Sequence, residues 1–494
     1  MKVVRYDFFP KGYGIIGRES MQTKYLYINT IGCQMNVYDS EKIAVVLRPL
    51  GYELTRNVDA ADLIIVNTCA IRAKAEQKAF SFLGRMAKMK RKRPNLIIGM
   101  GGCVAQQEGW KIVERMPSVD FVFGTHVIDR LPDMVARIEQ KRCHLVDVKM
   151  SPGIDEYDSI ADTGANRDVC RFITIMQGCD NYCTYCVVPY VRGRETSRKP
   201  EFILSEIRGL IDTGVKEVTL LGQNVNSYGQ KEGLCSFAEL LEKVNVLEGL
   251  ERIRFTTSHP KDLSMDLMLA FQDLNKLCRH IHLPVQSGAN TVLKRMNRKY
   301  TRESYLEKIE KLRQVCPTIA ISSDFIAGFP GETETEFLET LDLIKTVEYD
   351  SLFAFVYSDR PNAPAAHFGD KISEAEKKAR LQVLLTVQEQ LTLKKNQSMV
   401  GSNQVVLVEG LSRKQPGRLK PDTQPIIQWS GRTEGNKIVN FNWTEDREIA
   451  APDIKTGQLV DVRIKRALSH SLLGELIETQ TATAGLKGDK SYAA

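Results

Sequence analysis

The run Gly178-Cys179-Asp180-Asn181-Tyr182-Cys183-Thr184-Tyr185-Cys186 spaces three thiols as Cys-x-x-x-Cys-x-x-Cys, just after the apolar segment 171–176. A four-iron four-sulfur cluster normally takes four cysteines, so three thiolates leave one iron open to bind a reactant. A structural zinc site takes four ligands, commonly as paired Cys-x-x-Cys units, and no partner pair follows here. The triplet therefore reads as a catalytic iron–sulfur site.

The elements that precede it carry three more thiols in a matching arrangement. Residues 24–30, 62–67 and 95–100 are short apolar strand candidates, separated by helical stretches such as 39–50 and 74–92. That alternation predicts an α/β domain with a parallel sheet, whose binding groups collect in the loops at the carboxyl ends of the strands. Those loops hold Cys33 in Gly32-Cys33-Gln34-Met35-Asn36, Cys69 in Asn67-Thr68-Cys69, and Cys103 in Gly101-Gly102-Cys103. A single free cysteine is usually a small buried hydrophobe. Three in succession at equivalent positions predict a second three-thiolate site.

The pattern weakens over 141–165, which contains Ser151, Pro152, Gly153 and the acids Asp155, Glu156, Asp158 and Asp162, and reads as a linker. Strand candidates then recur at 171–176, 217–221, 252–257, 280–285, 319–326 and 352–357, with helical stretches between them. Six βα units make a partial barrel rather than the closed eight, with its active site at the carboxyl ends of the strands. The polar segments Gly222-Gln223-Asn224, Ser258-His259, Gln286-Ser287 and Gly328-Phe329-Pro330-Gly331-Glu332 fall there together with Cys179. A β-rich segment, 398–468, has alternating runs at 404–408, 437–441 and 458–464, as in a small barrel. It holds eleven Lys and Arg against eight Asp and Glu, interleaved with Trp429, Phe441 and Trp443. The expected organisation is thus an extension (1–23), an α/β domain (24–140), a linker (141–165), a partial (βα)6 barrel (166–397), a small β-barrel (398–468) and a tail (469–494). Met21 is a second candidate start.

Bulk composition sets the compartment. With 494 residues, 43% hydrophobic and 26% charged, the chain has the composition of an ordinary soluble protein and room for about three domains. No apolar run reaches the roughly 18 residues of a membrane span, and Lys2, Arg5, Lys11 and Arg18 interrupt the first twenty positions. A cytoplasmic protein is expected, in which eleven cysteines point to metal or redox chemistry rather than disulfides. The net charge of +7 permits an anionic partner without requiring one.

At Cys179, Cys183 and Cys186 the chain resembles the radical S-adenosylmethionine enzymes. With the motifs around Cys33, Cys69 and Cys103 it resembles, more narrowly, the methylthiotransferases, nearest to the bacterial branch that modifies dimethylallyladenosine in tRNA. Thr257-Ser258-His259-Pro260, His282 to Gly288 and Ser322 to Glu332 match as well, and 398–468 resembles a TRAM domain. One loop departs: Asp359, Asn362 and Ala363 stand where Pro, Gly and Thr are expected.

The resemblance implies two 4Fe-4S clusters. Cys179, Cys183 and Cys186 would hold the one whose open iron binds S-adenosylmethionine and cleaves it to a deoxyadenosyl radical. Cys33, Cys69 and Cys103 would hold an auxiliary cluster carrying a sulfur that a second S-adenosylmethionine methylates. Hydrogen abstraction at carbon 2 of dimethylallyladenosine, position 37 of the anticodon loop, then precedes methylthio transfer. The implied partners are a tRNA anticodon stem-loop, an electron donor such as flavodoxin or ferredoxin, and a sulfur source. Gln223, Asn224, Gln286, Ser323 and Asp324 are candidate contacts to the cofactor, against helix capping and core hydrogen bonding. Candidate RNA contacts are Arg91, Lys92 and Arg93 in the basic run that starts at Arg85, with Lys394, Lys395, Arg413 and Lys414; the plainer role is a solvated surface. Arg192 and Arg194 are expected to pair with a carboxylate or RNA, His259 to support the barrel rim, and Cys143, Cys170, Cys235, Cys278 and Cys316 to be packing residues.

Two alternatives stay open. Threonylcarbamoyl-adenosine in tRNA or a ribosomal-protein aspartate could be the substrate, or the chain could be an RNA-binding iron–sulfur protein without catalysis. The incomplete ligand sets argue against the second.

Overall fold

The structure is a computed structural model, which describes residues 23–70, 73–151, 153, 168–415, 427–442 and 454–477. Residues 1–22 of the expected extension, most of the tail, Trp443 and much of the expected linker lie outside the described residues.

The first unit runs β1 (Lys24–Ile31), α1 (Gln34–Leu47), β2 (Tyr52–Leu54), β3 (Leu63–Thr68), α2 (Ala73–Lys92), β4 (Ile97–Gly102), α3 (Cys103–Glu108), α4 (Trp110–Arg115), β5 (Phe121–Phe123), α5 (Leu131–Gln140) and β6 (Leu145–Asp147). All six strands are parallel in the order β2-β1-β3-β4-β5-β6. β3 and β4 are buried at every position, as expected of central strands covered by helices on both faces. Pairing aligns Ile31 with Thr68 and Thr68 with Gly102, so three adjacent strands end on one row and release Cys33, Cys69 and Cys103 at one edge. Two details differ from expectation. α1 begins at Gln34 rather than 39, because Cys33 already occupies its N-cap. The sheet continues through β6 into the segment expected to be a linker; three half-buried residues on an edge strand leave no apolar run to read.

In the second unit, β7 (Cys170–Thr174) leads through the short antiparallel pair β8 (Met176–Gln177) and β9 (Thr196–Ser197) into β10 (Glu217–Leu221), β11 (Arg252–Thr256), β12 (His280–His282), β13 (Ala320–Ala327) and β14 (Ser351–Val356). Between β8 and β9 lies α6 (Val188–Val191), the helix that follows Cys186. Six parallel strands form two ladders, β7-β10-β11 and β12-β13-β14, bridged where Ile253 meets Leu277. The result is the expected arc of six. Ile173, Val218, Leu220, Ile253, Phe255, Ile281, Ile321 and Phe325 form one continuous core with residues of helices Pro200–Asp212, Phe237–Asn245, Arg302–Val315 and Glu334–Val347. Alternate residues, such as Glu217, Arg254, His282 and Asp324, fall on the opposite, concave face.

Five strands, β15 (Asn403–Leu411), β16 (Gln428–Arg432), β17 (Ile438–Asn442), β18 (Leu459–Ala467) and β19 (Leu472–Leu476), close a small barrel over Val406, Val408, Val439, Phe441, Val462, Ile464 and Leu472. β19 falls in what was expected to be the tail. Its five residues follow the turn-like Ser469-His470-Ser471, yet Leu472 is fully buried and Gly474 sits tight against Val462.

This barrel docks on the amino ends of the core strands. Arg252 donates to the carbonyls of Arg432 (2.6 Å) and Val405 (2.9 Å), and Arg254 to those of Glu434 (2.9 Å) and Thr433 (2.7 Å). Lys437 donates to the Asp350 carbonyl just before β14. The small barrel and Cys179 therefore lie at opposite ends of strands about 16 Å long.

Candidate functional site

Two buried asparagines tie the first cysteine loops together. Asn36 Oδ1 accepts from the Cys33 amide (3.1 Å) and its thiol (3.4 Å), while Nδ2 donates to Asn67 Oδ1 (3.0 Å) and the Thr68 carbonyl (3.3 Å). Asn67 Nδ2 returns to the Asn36 carbonyl (2.9 Å) and Ser40 Oγ (3.0 Å). Thr68 Oγ1 donates to the Gly101 carbonyl, joining the ends of β3 and β4. Gly102 has φ +88°, and a Cβ there would lie 2.3 Å from the Thr68 carbonyl oxygen, so only glycine lets the loops of Cys69 and Cys103 approach this closely.

The charge state of Cys33 reflects these neighbours. A hydrogen bond from Cys69, the charge of Arg192 and the amides of Asn36 and Met35 outweigh burial and hold its thiol down to about 6. Burial pushes Cys103 upward, and Arg192 partly opposes that.

The second triplet is shaped by a similar close approach. Gly178 has φ +81°, with Arg194 O where a Cβ would go, and its amide donates to Gln223 Oε1 (2.5 Å). Asn181 Nδ2 lies 3.4 Å from Cys179 Sγ, and the Val188 amide 3.5 Å from Cys186 Sγ. Arg298, buried, donates from Nη1 to Cys183 Sγ (3.4 Å) and Tyr185 Oη (3.3 Å), from Nε to Tyr300 Oη (2.8 Å), and from Nη2 to the Pro284 carbonyl (2.6 Å). Burial pushes Cys179 up to about 11 and, with the neighbouring Cys183, Cys186 up to about 12.

The chain leaving Cys186 connects the two triplets. Val187 and Val191 join the apolar cluster that contains Cys103, Val104 and Ala105, and Thr125 Oγ1 donates to the Val191 carbonyl (2.7 Å). Arg192 reaches α1, donating from Nη2 to Asp39 Oδ2 (2.6 Å), and feels both Cys33 and Cys103. Arg171–Glu41 (3.0 Å) and Arg198–Tyr38 (3.2 Å) extend the same contact. The triplets therefore flank one interface between the α/β unit and the barrel mouth.

Both triplets fit iron–sulfur clusters. Each offers only sulfur donors on loops fixed by glycine and asparagine, with one buried guanidinium alongside to offset the negative charge of three thiolates. Among the described residues no three His, Cys, Asp or Glu side chains could share a single metal ion. A four-iron cube takes one thiolate per iron and needs its cysteines spread around a larger body.

Comparison with known proteins agrees with this geometry. Sequence models match for the Uncharacterized protein family UPF0004 (residues 25–124), the Radical SAM superfamily (173–344) and the TRAM domain (397–477). A tRNA-2-methylthio-N(6)-dimethylallyladenosine synthase from Desulfosudis oleivorans is 55% identical, over 94% of this chain and 98% of the relative. This chain belongs to that synthase family. Synthases of the same name from Syntrophus aciditrophicus (51% identity, 92% and 95% covered) and Geobacter metallireducens (51%, 92% and 98%) are similar throughout. In fold, the chain resembles the radical S-adenosylmethionine methyltransferase TsrM from Kitasatospora setae, with 13% identity, TM-score 0.54, and 81% of each chain covered.

Among the expected cofactor contacts, Gln223 shapes the Cys179 loop through Gly178. Asn224 is committed to the rim: its Nδ2 donates to Ser227 and Asp262, and its Oδ1 accepts from the His259 amide. Ser323 Oγ is taken up by the Leu283 carbonyl and the Val285 amide, so it joins β13 to the segment after β12. In these bonds Asn224 and Ser323 fill the structural role that competed with cofactor contact. Asp324 stands 3.5 Å from His282 on the concave face, and Gln286, with φ +78°, lies at the mouth between backbone bonds to Asp324 and Ile326.

The loop that departs from the family pattern keeps the pattern's physical requirements. Asn362, with φ +67°, is the non-glycine residue best suited to that conformation. Ala363 is buried in the apolar core of the α/β unit, and Arg360 lies near Cys69.

The basic residues are mostly not at this interface. α2 runs back along the sheet, so Arg91, Lys92 and Arg93 sit at the strand edge opposite the cysteines, up to about 30 Å away for a 20-residue helix. Arg93 is pinned there by the Asp59 carbonyl (2.6 Å) and Asp62 (3.6 Å). Lys394 pairs with Glu348 (2.7 Å) and Lys395 with Asp350 (3.0 Å), which leaves less of their charge for RNA. Arg413 and Lys414 are exposed on the loop after β15. Arg194 pairs with Asp180, as expected of it. His259 supports the rim, accepting from the Lys261 amide. Cys278 and Cys316 are buried packing residues, whereas Cys143 is exposed.

Sequence reasoning missed Asn36 and Asn67 as organisers of the first site, and Arg298 at the second. The asparagines stand within quoted motifs, but their pairing spans 31 residues and leaves no local spacing.

Proposed function

We propose that this chain converts N(6)-dimethylallyladenosine at position 37 of the tRNA anticodon loop to its 2-methylthio derivative. It would use two S-adenosylmethionine and two 4Fe-4S clusters, with Cys179, Cys183 and Cys186 as ligands of one and Cys33, Cys69 and Cys103 of the other. The observation that carries this reading is the pairing of two three-thiol sets across one interface, each one ligand short of a closed cage. When bound, the clusters supply the reductive cleavage of S-adenosylmethionine and the sulfur to be transferred.

The chain's own contribution is placement and exclusion of water. Gly178 and Gln223 fix the entry to the second triplet, and Arg298 compensates charge beside Cys183. Asn36 and Asn67 hold the first set. The loop through Arg360 and Ala363 covers the interface from the end of β14. A base must leave its stack to enter such a gap, which costs a few kcal/mol and less in a single-stranded loop. The exposed ends at Arg91, Lys92, Arg413 and Lys414 would then meet RNA backbone well away from the reacting base. An electron donor such as flavodoxin or ferredoxin, a sulfur source and a cytoplasmic location complete the proposal. Among the described residues no helix is long and apolar enough to cross a membrane.

The test is anaerobic incubation of the reconstituted protein with S-adenosylmethionine, a reductant and tRNA bearing dimethylallyladenosine, followed by mass spectrometry of the nucleosides. The 2-methylthio nucleoside is the expected product. Modification of threonylcarbamoyl-tRNA or of a ribosomal-protein peptide instead would overturn the substrate assignment.

A further inference from the structure

Arg192 belongs to one half of the molecule and makes its side-chain hydrogen bond in the other. It follows Cys186 by six residues, yet its side chain crosses to α1 of the α/β unit, where its charge acts on Cys33 and Cys103. Only 3% of it is exposed. Its backbone is held at both ends, the amide by the Val188 carbonyl (2.7 Å) and the carbonyl by His126 Nε2 (3.0 Å). Nη2 donates to Asp39, whereas Nη1 is buried without a hydrogen-bond partner.

A buried guanidinium with an unmade hydrogen bond is expensive. Among the described arginines with an unmade donor Arg192 alone leaves an Nη group, whereas Arg171, Arg198, Arg254 and Arg380 each leave only Nε. The groups that favour its charge are Asp39 first, then Cys103 and Cys33. An arginine has five donors in a rigid fork, and one carboxylate here engages part of it. Two of the thiols that act on it belong to a set whose three thiolates would leave a bound cluster with a net negative charge.

We infer that Arg192 is a positioning residue for the α/β-unit site, with Nη1 donating to sulfur there and its charge offsetting that of the cluster. The inference rests on the assignment of Cys33, Cys69 and Cys103 as ligands. It makes the electrostatics of one site depend on docking of the other half of the chain. Removing the charge makes an added electron less welcome, so the reduction potential of that cluster falls. Lysine keeps the charge and loses the fork.

The experiment uses full-length protein with Cys179, Cys183 and Cys186 changed to Ala, so that only the α/β-unit site can load. Iron per chain and the midpoint potential, from a spectroscopically monitored redox titration, are compared for this parent and for added Arg192→Gln, Arg192→Lys and the pair Asp39→Asn with Arg192→Gln. The pair leaves two amides that hydrogen-bond to each other, so it keeps the fold if Arg192→Gln alone does not. The expected result is a more negative potential and faster loss of iron to a chelator in Arg192→Gln, with lysine close to the parent. The pair, which removes a negative charge along with the positive one, keeps a potential near the parent's but still loses iron faster, because it lacks the donor to sulfur. An Arg192→Gln variant that melts, loads iron and titrates like the parent would overturn the inference. If that variant does not fold, so would a paired variant that holds its iron against the chelator as well as the parent; Arg192 would then be an interface residue only. If the parent itself binds no iron, the ligand assignment fails, and the inference fails with it.

Discussion

At the scale of single residues, the molecule separates chemistry that local spacing encodes from chemistry that only folding assembles. The six cysteines were legible because ligand spacing and strand ends are local patterns. Arg192 was legible as the partner of a carboxylate, and Asp39 is that carboxylate, but which one was not, and Arg298 was not legible at all, since Asp39 and Cys183 lie 153 and 115 residues away from them. The buried His259 gives a residue-scale prediction. Burial first, then Arg298, Lys261 and Lys308, drive its imidazole from 6.5 down to about 2, so the folded protein keeps it neutral. Below pH 6.5 the unfolded chain binds a proton that the folded one refuses, so stability is lost as pH falls through that range. The limiting slope is about 1.4 kcal/mol per pH unit. Urea unfolding of the metal-free protein and of His259→Asn, which retains an acceptor for the Lys261 amide, isolates this share between pH 5 and 8. The stability curve of the variant should differ by up to this slope, the rest coming from other buried groups such as His280, held low by burial, and Glu195, held up to about 7 in the opposite sense.

At the scale of elements, the strands and their order of use were readable, and most boundaries held to within a few residues. The exceptions have a common physical cause. β6 and β19 are short, and β6 is only half buried, so neither shows the apolar run or long alternation by which a strand is recognised. The glycine turns that deliver the cysteines supply two paired predictions. Gly102→Ala places a methyl against the Thr68 carbonyl and strains a backbone at φ +88°, costing about 1–3 kcal/mol before any shift of the loop. It should lower bound iron by about half while reductive cleavage of S-adenosylmethionine persists. Gly178→Ala disturbs the other loop in the same way, and should abolish that cleavage while leaving about half of the iron. Iron analysis and liquid chromatography of deoxyadenosine check both.

At the scale of the whole molecule, the placement of the small barrel is the largest addition to what the sequence conveyed. Its resemblance to a TRAM domain was readable, but not that Arg252 and Arg254 would bolt it to the amino ends of the core strands, away from the mouth. Arg252→Met keeps the packing of the stem and removes the charged hydrogen bonds to the carbonyls of Arg432 and Val405, each worth about 1.5–3 kcal/mol. Calorimetry should then show the barrel melting as an earlier, separate transition. Filter binding should show weaker tRNA affinity, with S-adenosylmethionine cleavage unchanged.

The central claim is that two open thiol triplets divide the labour across one interface. It is tested most directly by replacing Cys33, Cys69 and Cys103 together with Ala, and measuring deoxyadenosine and the methylthio nucleoside in the same anaerobic reaction. The account predicts that deoxyadenosine still forms while the methylthio product disappears. Loss of both, or persistence of the methylthio product, would contradict it.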